Sequence, residues 1–298
     1  MQRFRRILLG IDLALAGDRL TSGCLRAVEQ GLQLAQRLGA ELEFLHSTWA
    51  DLHEENQAIR PGPSVEGLRA LEDLVERATA LGLHARVRLV HDRAWLEIIR
   101  AVQRGEADLV LVARRSQGGS GYGSVTRKLM RKCPCPVWVV RAEGGSEPRT
   151  IVAATDLSTV GNLAVVLGAE LADLFGGALH VVHAWPLPLS VPMLPELDVP
   201  AQTRIDFEQQ EAAARARFEQ ALAPLALPPT ARRHLQCGAP SAVIQELVER
   251  HAADLLVMGS VSRGGIAGLL LGNTAERLLD RVHCSLLTIK PRDFISPI

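Results

Sequence analysis

Short apolar runs alternate along the chain with longer stretches in which apolar residues recur every three or four positions. Ile7 to Ile11 is a nearly unbroken apolar run, the mark of a strand covered on both faces. Residues 21–38 then set Leu25, Val28, Leu32 and Ala35 at helical spacing, and Gly39 stands where that helix would end. The reading continues with strand 42–46, helix 66–81, strand 85–90, helix 94–104, strand 108–113, helix 124–132 and strand 137–140. Alternation of this kind predicts an α/β fold with a parallel, doubly wound sheet and helices on both faces.

The pattern is written twice. Arg6 to Leu13 (RILLGIDL) matches Thr150 to Leu157 (TIVAATDL) at an offset of 144. Leu42 to His46 (LEFLH) matches Leu179 to His183 (LHVVH). Ala107 to Val112 matches Ala253 to Met258 at 146, and Val137 to Val140 matches Leu286 to Ile289 at 149. These repeats divide the chain into one domain over residues 1–142 and a second over 149–298, joined by the polar, turn-rich run Ala142 to Pro148. The last strand of each copy is an apolar edge that needs cover.

Composition narrows the function. The 298 residues carry 33 basic and 33 acidic side chains, a balance that argues against a dedicated nucleic-acid binder. All but three of the basic residues are Arg, the exceptions being Lys128, Lys132 and Lys290. Five Cys, an odd number in a chain this long, suggest a reducing cytoplasm rather than a disulfide framework. Arg3, Arg5 and Arg6 before Ile7 imitate a secretion signal, but Asp12 interrupts the apolar stretch and the segment recurs inside the chain. Other apolar runs fall far short of the ~18 residues that span a bilayer. The expectation is a cytoplasmic protein without a membrane segment.

The chain has no GxGxxG after its first strand, no GxxxxGK[ST] and no GxSxG, and no acid–base pair or nucleophile stands out. Binding without catalysis is the expectation. In open α/β sheets ligands lie beyond the carboxyl ends of strands. Asp12 and Asp156 follow the first strand of each copy, and a glycine-rich stretch from Gly259 to Gly268, then Gly272 to Glu276, follows the fourth strand of the second. Glycines let backbone N–H groups approach phosphate oxygens, and a helix start adds partial positive charge. Equally, Asn273 and Glu276 read as an N-cap with its capping-box partner, and the glycines as turns.

Weaker signals remain. Arg114, Arg115, Arg127, Lys128, Arg131 and Lys132 form a basic stretch that reads as a solvated surface, with an anion or RNA contact as the sharper alternative. Cys133 and Cys135 lack a second pair to complete a zinc site. His180 and His183, three apart on a strand, point to opposite faces, which disfavours a shared metal. His46 and His183 read as packed, hydrogen-bonded strand-end residues. Residues 185–200 are apolar and Pro-rich, a loop over the core or a lid over a greasy ligand.

Val257 to Leu279 (VMGSVSRGGIAGLLLGNTAERLL) resembles the nucleotide signature of the universal stress protein family: Gly, two residues, Gly, nine residues, Gly, then Ser or Thr. The resemblance covers nearly the whole chain. It is strongest to the tandem E-type members, through Arg131 to Trp138, Leu194 to Asp198 and Gly272 to Glu276. It implies two tandem five-stranded parallel sheets flanked by helices and paired through their last strands as an internal pseudo-dimer. Further self-association as a homodimer is compatible with it. It also implies ATP or another adenine nucleotide, with Mg accompanying it. Gly259, Ser262, Gly272, Asn273 and Thr274 would then surround the phosphates, with Asp156 and Ala184 near the nucleoside. Ser262 stands where the signature has its second Gly, and Asn273 where it has Ser or Thr. Asp12, Gly123, Ser124 and Val125 would be a vestigial site in the first half, where Ala113 and Ser116 replace two glycines and the loop is three residues shorter. The expected function is a nucleotide-binding sensor or interaction module in stress response. Its rivals are a weak ATPase and a binder of an apolar or lipid-like molecule under the Pro-rich loop.

Overall fold

Apolar runs from both copies come together in one ten-stranded sheet. The computed structural model describes residues 4–14, 16–49, 62–114, 123–145, 147–186, 201–260, 272–279 and 281–298. The first half forms β1 (Arg6–Ile11), α1 (Ser22–Leu38), β2 (Glu41–Ser47), α2 (Val65–Ala80), β3 (Ala85–Val90), α3 (Ala94–Gln103), β4 (Leu109–Ala113), α4 (Ser124–Lys132) and β5 (Val137–Val140). The second forms β6 (Thr150–Ala154), α5 (Thr159–Phe175), β7 (Ala178–Trp185), α6 (Ala201–Leu222), β8 (Arg232–Cys237), α7 (Pro240–Arg250), β9 (Leu255–Gly259), α8 (Asn273–Leu279) and β10 (Ser285–Ile289).

The strand order is β3-β2-β1-β4-β5-β10-β9-β6-β7-β8, so each half has five parallel strands in the same doubly wound order. The two last strands cover one another. β5 and β10 pair antiparallel, Trp138 opposite Leu287, and turn two apolar edges into the middle of the sheet. The pseudo-dimer implied by the family resemblance is therefore built within one chain.

Burial on both faces explains the unbroken apolar runs. Ile7 and Leu9 pack on one side of β1 with Phe44, Leu109 and Leu111, while Leu8 packs on the other with Leu45, Val110 and Ile98. Both layers cross the seam, the first through Trp138 and Leu287, the second through Val139 and Leu286. The outer strands carry exposed Arg86 on β3 and Arg232 and Arg233 on β8, charges that discourage further strand addition.

Helix ends follow the local chemistry. Thr21 Oγ1 accepts from the Cys24 N–H at 3.3 Å, and Gly39 closes α1 at φ 63°. Ser158 Oγ accepts from the Gly161 N–H at 3.1 Å, and Gly176 closes α5 at φ 61°. One expected core position fails: Leu25 is exposed, because the buried stripe of α1 runs through Cys24, Ala27, Val28, Gly31 and Ala35 instead. The repeated Asp has a structural task. Asp108 accepts from the N–H groups of Arg5 and Arg6, and Asp254 from those of Arg149 and Thr150 at 2.9 and 3.0 Å, so each tethers the start of its half's first strand.

Candidate functional site

β6 lies between β7 and β9, and the chain leaves it toward both sides. Its carboxyl end therefore borders the crevice where open α/β sheets bind ligands. Beyond it, exposed Asp156 accepts through Oδ1 from the Ser158 N–H at 3.0 Å and from the Ser158 hydroxyl. Leu157 adopts a left-handed backbone, φ 64°, with its N–H held by Thr155 Oγ1 at 2.9 Å. A Cβ on Gly161 would sit 2.6 Å from Asp156 Oδ1 and 2.7 Å from Thr155 Oγ1, so this turn closes only over glycine.

On the other side of the crevice, Gly259 ends β9, where an added Cβ would stand 3.1 Å from Val160 Cγ1 of α5. The next residue is an anchor. Ser260 is fully buried, its N–H donates to the Ile289 carbonyl at 3.0 Å, and its own carbonyl accepts from the Gly272 N–H at 2.9 Å. The glycine-rich segment thus leaves and returns through one neck, with Gly259 before it and α8 after it. Lys290 Nζ donates to Ser260 Oγ at 2.7 Å and also to the Met130 carbonyl of α4, so the neck is fastened to the first half. Burial pushes this lysine's pKa from 10.5 down to about 8.

The Gly272 N–H is engaged in the neck. Donors free of an intrahelical acceptor are instead the N–H groups of Asn273, Thr274 and Ala275, since Glu276 is the first whose N–H reaches back, to the Gly272 carbonyl at 2.9 Å. Gly272 is accordingly the helix cap, and the expected Asn273–Glu276 capping box is corrected. The Glu276 carboxylate pairs with Arg131 at 2.6 Å instead. Ala184 also needs correction. It lies inside β7, opposite Gln236, rather than after the strand. The β6 ladder stops at Val182, so the β6-side flank of Ala184 is past the last ladder pair. Ser262 falls outside the described residues, as do Arg115, Ser116 and residues 187–200 of the Pro-rich segment.

Two histidines repeat one device. His46 Nδ1 lies 3.0 Å from the Ile11 carbonyl and His183 Nδ1 2.9 Å from the Thr155 carbonyl, each locking the second strand of its half to the end of the first. A carbonyl only accepts, so Nδ1 carries the proton. Both residues are packed and hydrogen-bonded, as their position implied.

The first half presents a different surface at the equivalent position. Its β1–α1 connection is six residues longer than β6–α5 and folds on itself through a Leu13–Leu20 bridge. The start of α2 closes over it: the Ser64 N–H donates to the Gly17 carbonyl at 3.0 Å, and a Cβ on Gly67 would fall 2.0 Å from that oxygen. Asp12 is half-buried here, its N–H directed at Cys24 Sγ, 3.4 Å away. Gly123 caps α4 without a side chain, followed by half-buried Ser124 and Val125.

Part of the basic stretch packs within the fold. Arg114 donates to the Val282 carbonyl at 2.6 Å across the seam, and Lys128 and Lys132 stand 5.3 and 5.0 Å from the Trp95 ring. The Cys133 and Cys135 sulfurs are 3.6 Å apart, and burial pushes the Cys135 thiol well above its ordinary pKa. A cleft of about 310 Å³ opens between α6 and α7 at the ends of β7 and β8, lined by Trp185, Phe207, Leu235 and Val243 with Glu211 and Glu246. Among the described residues, no helix is long and apolar enough to cross a membrane.

Comparison with known proteins agrees with this architecture. A model of the universal stress protein family matches residues 3–141 and again 147–290. Universal stress protein E of Escherichia coli K12 is 27% identical over 294 residues, covering 91% of this chain and 92% of its own. Its counterpart from Photorhabdus laumondii is 29% identical over 260 residues, covering 82% and 81%. Among solved structures, a putative universal stress protein from Pseudomonas aeruginosa superposes with a TM-score of 0.74 at 23% identity, covering 98% of this chain and 95% of that one.

Proposed function

The chain belongs to the universal stress protein family, and from that premise we propose that it binds one adenine nucleotide per molecule, in its second half, as a non-catalytic sensor or interaction module of the cytoplasmic stress response. The observation that carries this reading is the neck between Ser260 and Gly272, which opens the glycine-rich segment at the crevice bordered by Asp156 and Gly259. Asn273 and Thr274 N–H groups, with Gly259, Ser262 and Gly272, would surround the phosphates. Asp156 would face the nucleoside, and Ala184 would offer backbone beside the base. Mg would accompany the phosphates. The first-half positions Asp12, Gly123, Ser124 and Val125 are a vestige under this reading, because the longer β1–α1 connection and the start of α2 cover the corresponding end of β1.

Titration calorimetry with ATP and Mg on the full chain tests it. One site per chain is expected, weakened by Asp156→Ala and unaffected by Asp12→Ala, with tenfold corresponding to about 1.4 kcal/mol. Two sites, or sensitivity to Asp12 alone, would overturn the assignment. A second reading, an apolar or lipid-like ligand, rests on the cleft in which Trp185, Phe207, Leu235 and Val243 stand beside Glu211, Gln236, Cys237 and Glu246. Intact mass spectrometry of the purified protein separates the two by the ligand that travels with it.

A further inference from the structure

Three imidazoles meet at the amino end of the outer strands of the second half, away from the neck. His180 on β7 is buried, while His234 on β8 and His251 just after α7 are half-buried. His180 pairs in register with Arg232 and Val182 with His234, so His180 and His234 stand two positions apart on adjacent strands and share a face. That face is the one packed against α7, opposite to the face of His183. The closest nitrogens, His180 Nδ1 and His234 Nε2, are 3.0 Å apart, and the His251 ring centroid lies 4.0 Å from that of His180. One ring nitrogen from each residue lies within 4.8 Å of the others.

The geometry points to a three-imidazole site for a divalent transition-metal ion of the zinc type, formed by His180, His234 and His251, with water in the fourth position. Tetrahedral zinc holds nitrogen ligands at 2.0–2.1 Å, which separates them by roughly 3.3 Å. Imidazole nitrogen suits zinc, copper and nickel, whereas magnesium and calcium want oxygen. Metal binding also requires neutral imidazole. Arg232 and Arg250 are the cationic groups facing the cluster and oppose a cation. The carboxyl end of α7, whose last residue precedes His251, directs partial negative charge to the same place. Half-exposed His234 and His251 give the ion a path from solvent.

The test uses the full chain, stripped with a chelator, then titrated with Co²⁺ followed by visible absorption and with Zn²⁺ by indicator competition. One equivalent is expected, with tetrahedral Co²⁺ bands. His234→Gln and His251→Gln should each weaken it on the order of 100-fold, while a Cys133→Ser, Cys135→Ser double variant keeps it. Circular dichroism checks the fold, and Zn²⁺ should raise the melting temperature of the unmodified chain but not of the His251→Gln protein. Absence of a bound equivalent, or an equivalent that survives both His variants or is lost with the cysteines, would overturn the proposal and leave the cluster as a packed hydrogen-bonded stack.

Discussion

Replacing Lys290 by Met should remove a contribution to stability that grows as the solution becomes alkaline. Lys290 is 6% exposed, and its ammonium reaches the Met130 carbonyl and Ser260 Oγ across the seam. Burial brings its pKa from 10.5 to about 8, with Cys133 acting in the opposite sense. Between those values the unfolded chain holds a proton that the folded chain has released, so stability rises with pH through this window. From pH 7 to pH 9.5 the gain comes to about 2 kcal/mol, since one pKa unit is worth ~1.4 kcal/mol. Cys24 and Cys284 pull the other way. Burial raises both thiols to about 12, so above their ordinary value of 9.0 the unfolded chain loses protons the folded one keeps, and stability falls. The difference between unmodified and Lys290→Met proteins cancels that contribution. At pH 7 the substitution removes a desolvated charge but also two hydrogen bonds, opposing effects of about 1–3 kcal/mol each. The slope is therefore the informative quantity. Guanidinium unfolding followed by circular dichroism should show the variant losing ground by about 2 kcal/mol between pH 7 and pH 9.5. A difference that stays flat across that range would refute a buried, depressed Lys290.

Gly161→Ala gains up to ~1 kcal/mol of helix propensity but drives a Cβ into Asp156 Oδ1 and Thr155 Oγ1, an overpacking cost of about 1–3 kcal/mol. Denaturant unfolding should show a net loss, and calorimetry a weaker nucleotide; a stabilised protein with unchanged affinity would contradict the described turn. At acid pH a buried neutral histidine acts in the same sense as a salt-bridged carboxylate. His180, about 4 when folded against 6.5 unfolded, contributes fully above pH 6.5, and stability falls as pH drops toward 4. A His180→Asn variant that keeps the same acid limb would show that this histidine is not responsible. Trp138→Ala empties a fully buried site opposite Leu287 and should cost about 3–5 kcal/mol in unfolding measurements, whereas a loss below about 1 kcal/mol would mean the seam does not depend on it.

Much of this architecture is legible in the residues. Strands buried on both faces leave unbroken apolar runs, Gly39 and Gly176 mark helix ends through their left-handed backbone, and the duplication leaves two apolar edges in need of cover, whose pairing the family resemblance implies. The longer β1–α1 connection was also readable. The offset between copies is 144 at the first strand but falls to 137 by His46 and His183, which requires seven extra residues in the first half. Other features depend on long-range packing. Lys290 looks like one lysine among many basic residues, and only the folded chain brings it to Met130. His180, His234 and His251 lie on a strand, the next strand and a helix end, with no spacing motif to connect them. Asn273 fits a cap by residue type, yet Gly272 takes the position because its N–H is drawn to the Ser260 carbonyl. The glycine-rich segment shows the limit of position-by-position matching: it identifies the residues of a nucleotide site but not which N–H groups are already engaged.

β5 and β10 run in opposite directions while every other neighbouring pair in the sheet runs parallel, so the seam reverses the sense of the whole second half. The carboxyl ends of β1 and β4 open on one rim of the sheet, and those of β6 and β9 on the other. Asp156 and Gly259 therefore share a rim with the amino ends of the first half's strands, whereas His180 and His234 lie toward the rim that carries Asp12. Gene duplication has made a two-sided plate rather than a double-barrelled receptor. The two rims lie at opposite ends of the strands, and among the described residues the strand ladder joining the halves is the three residue pairs between β5 and β10.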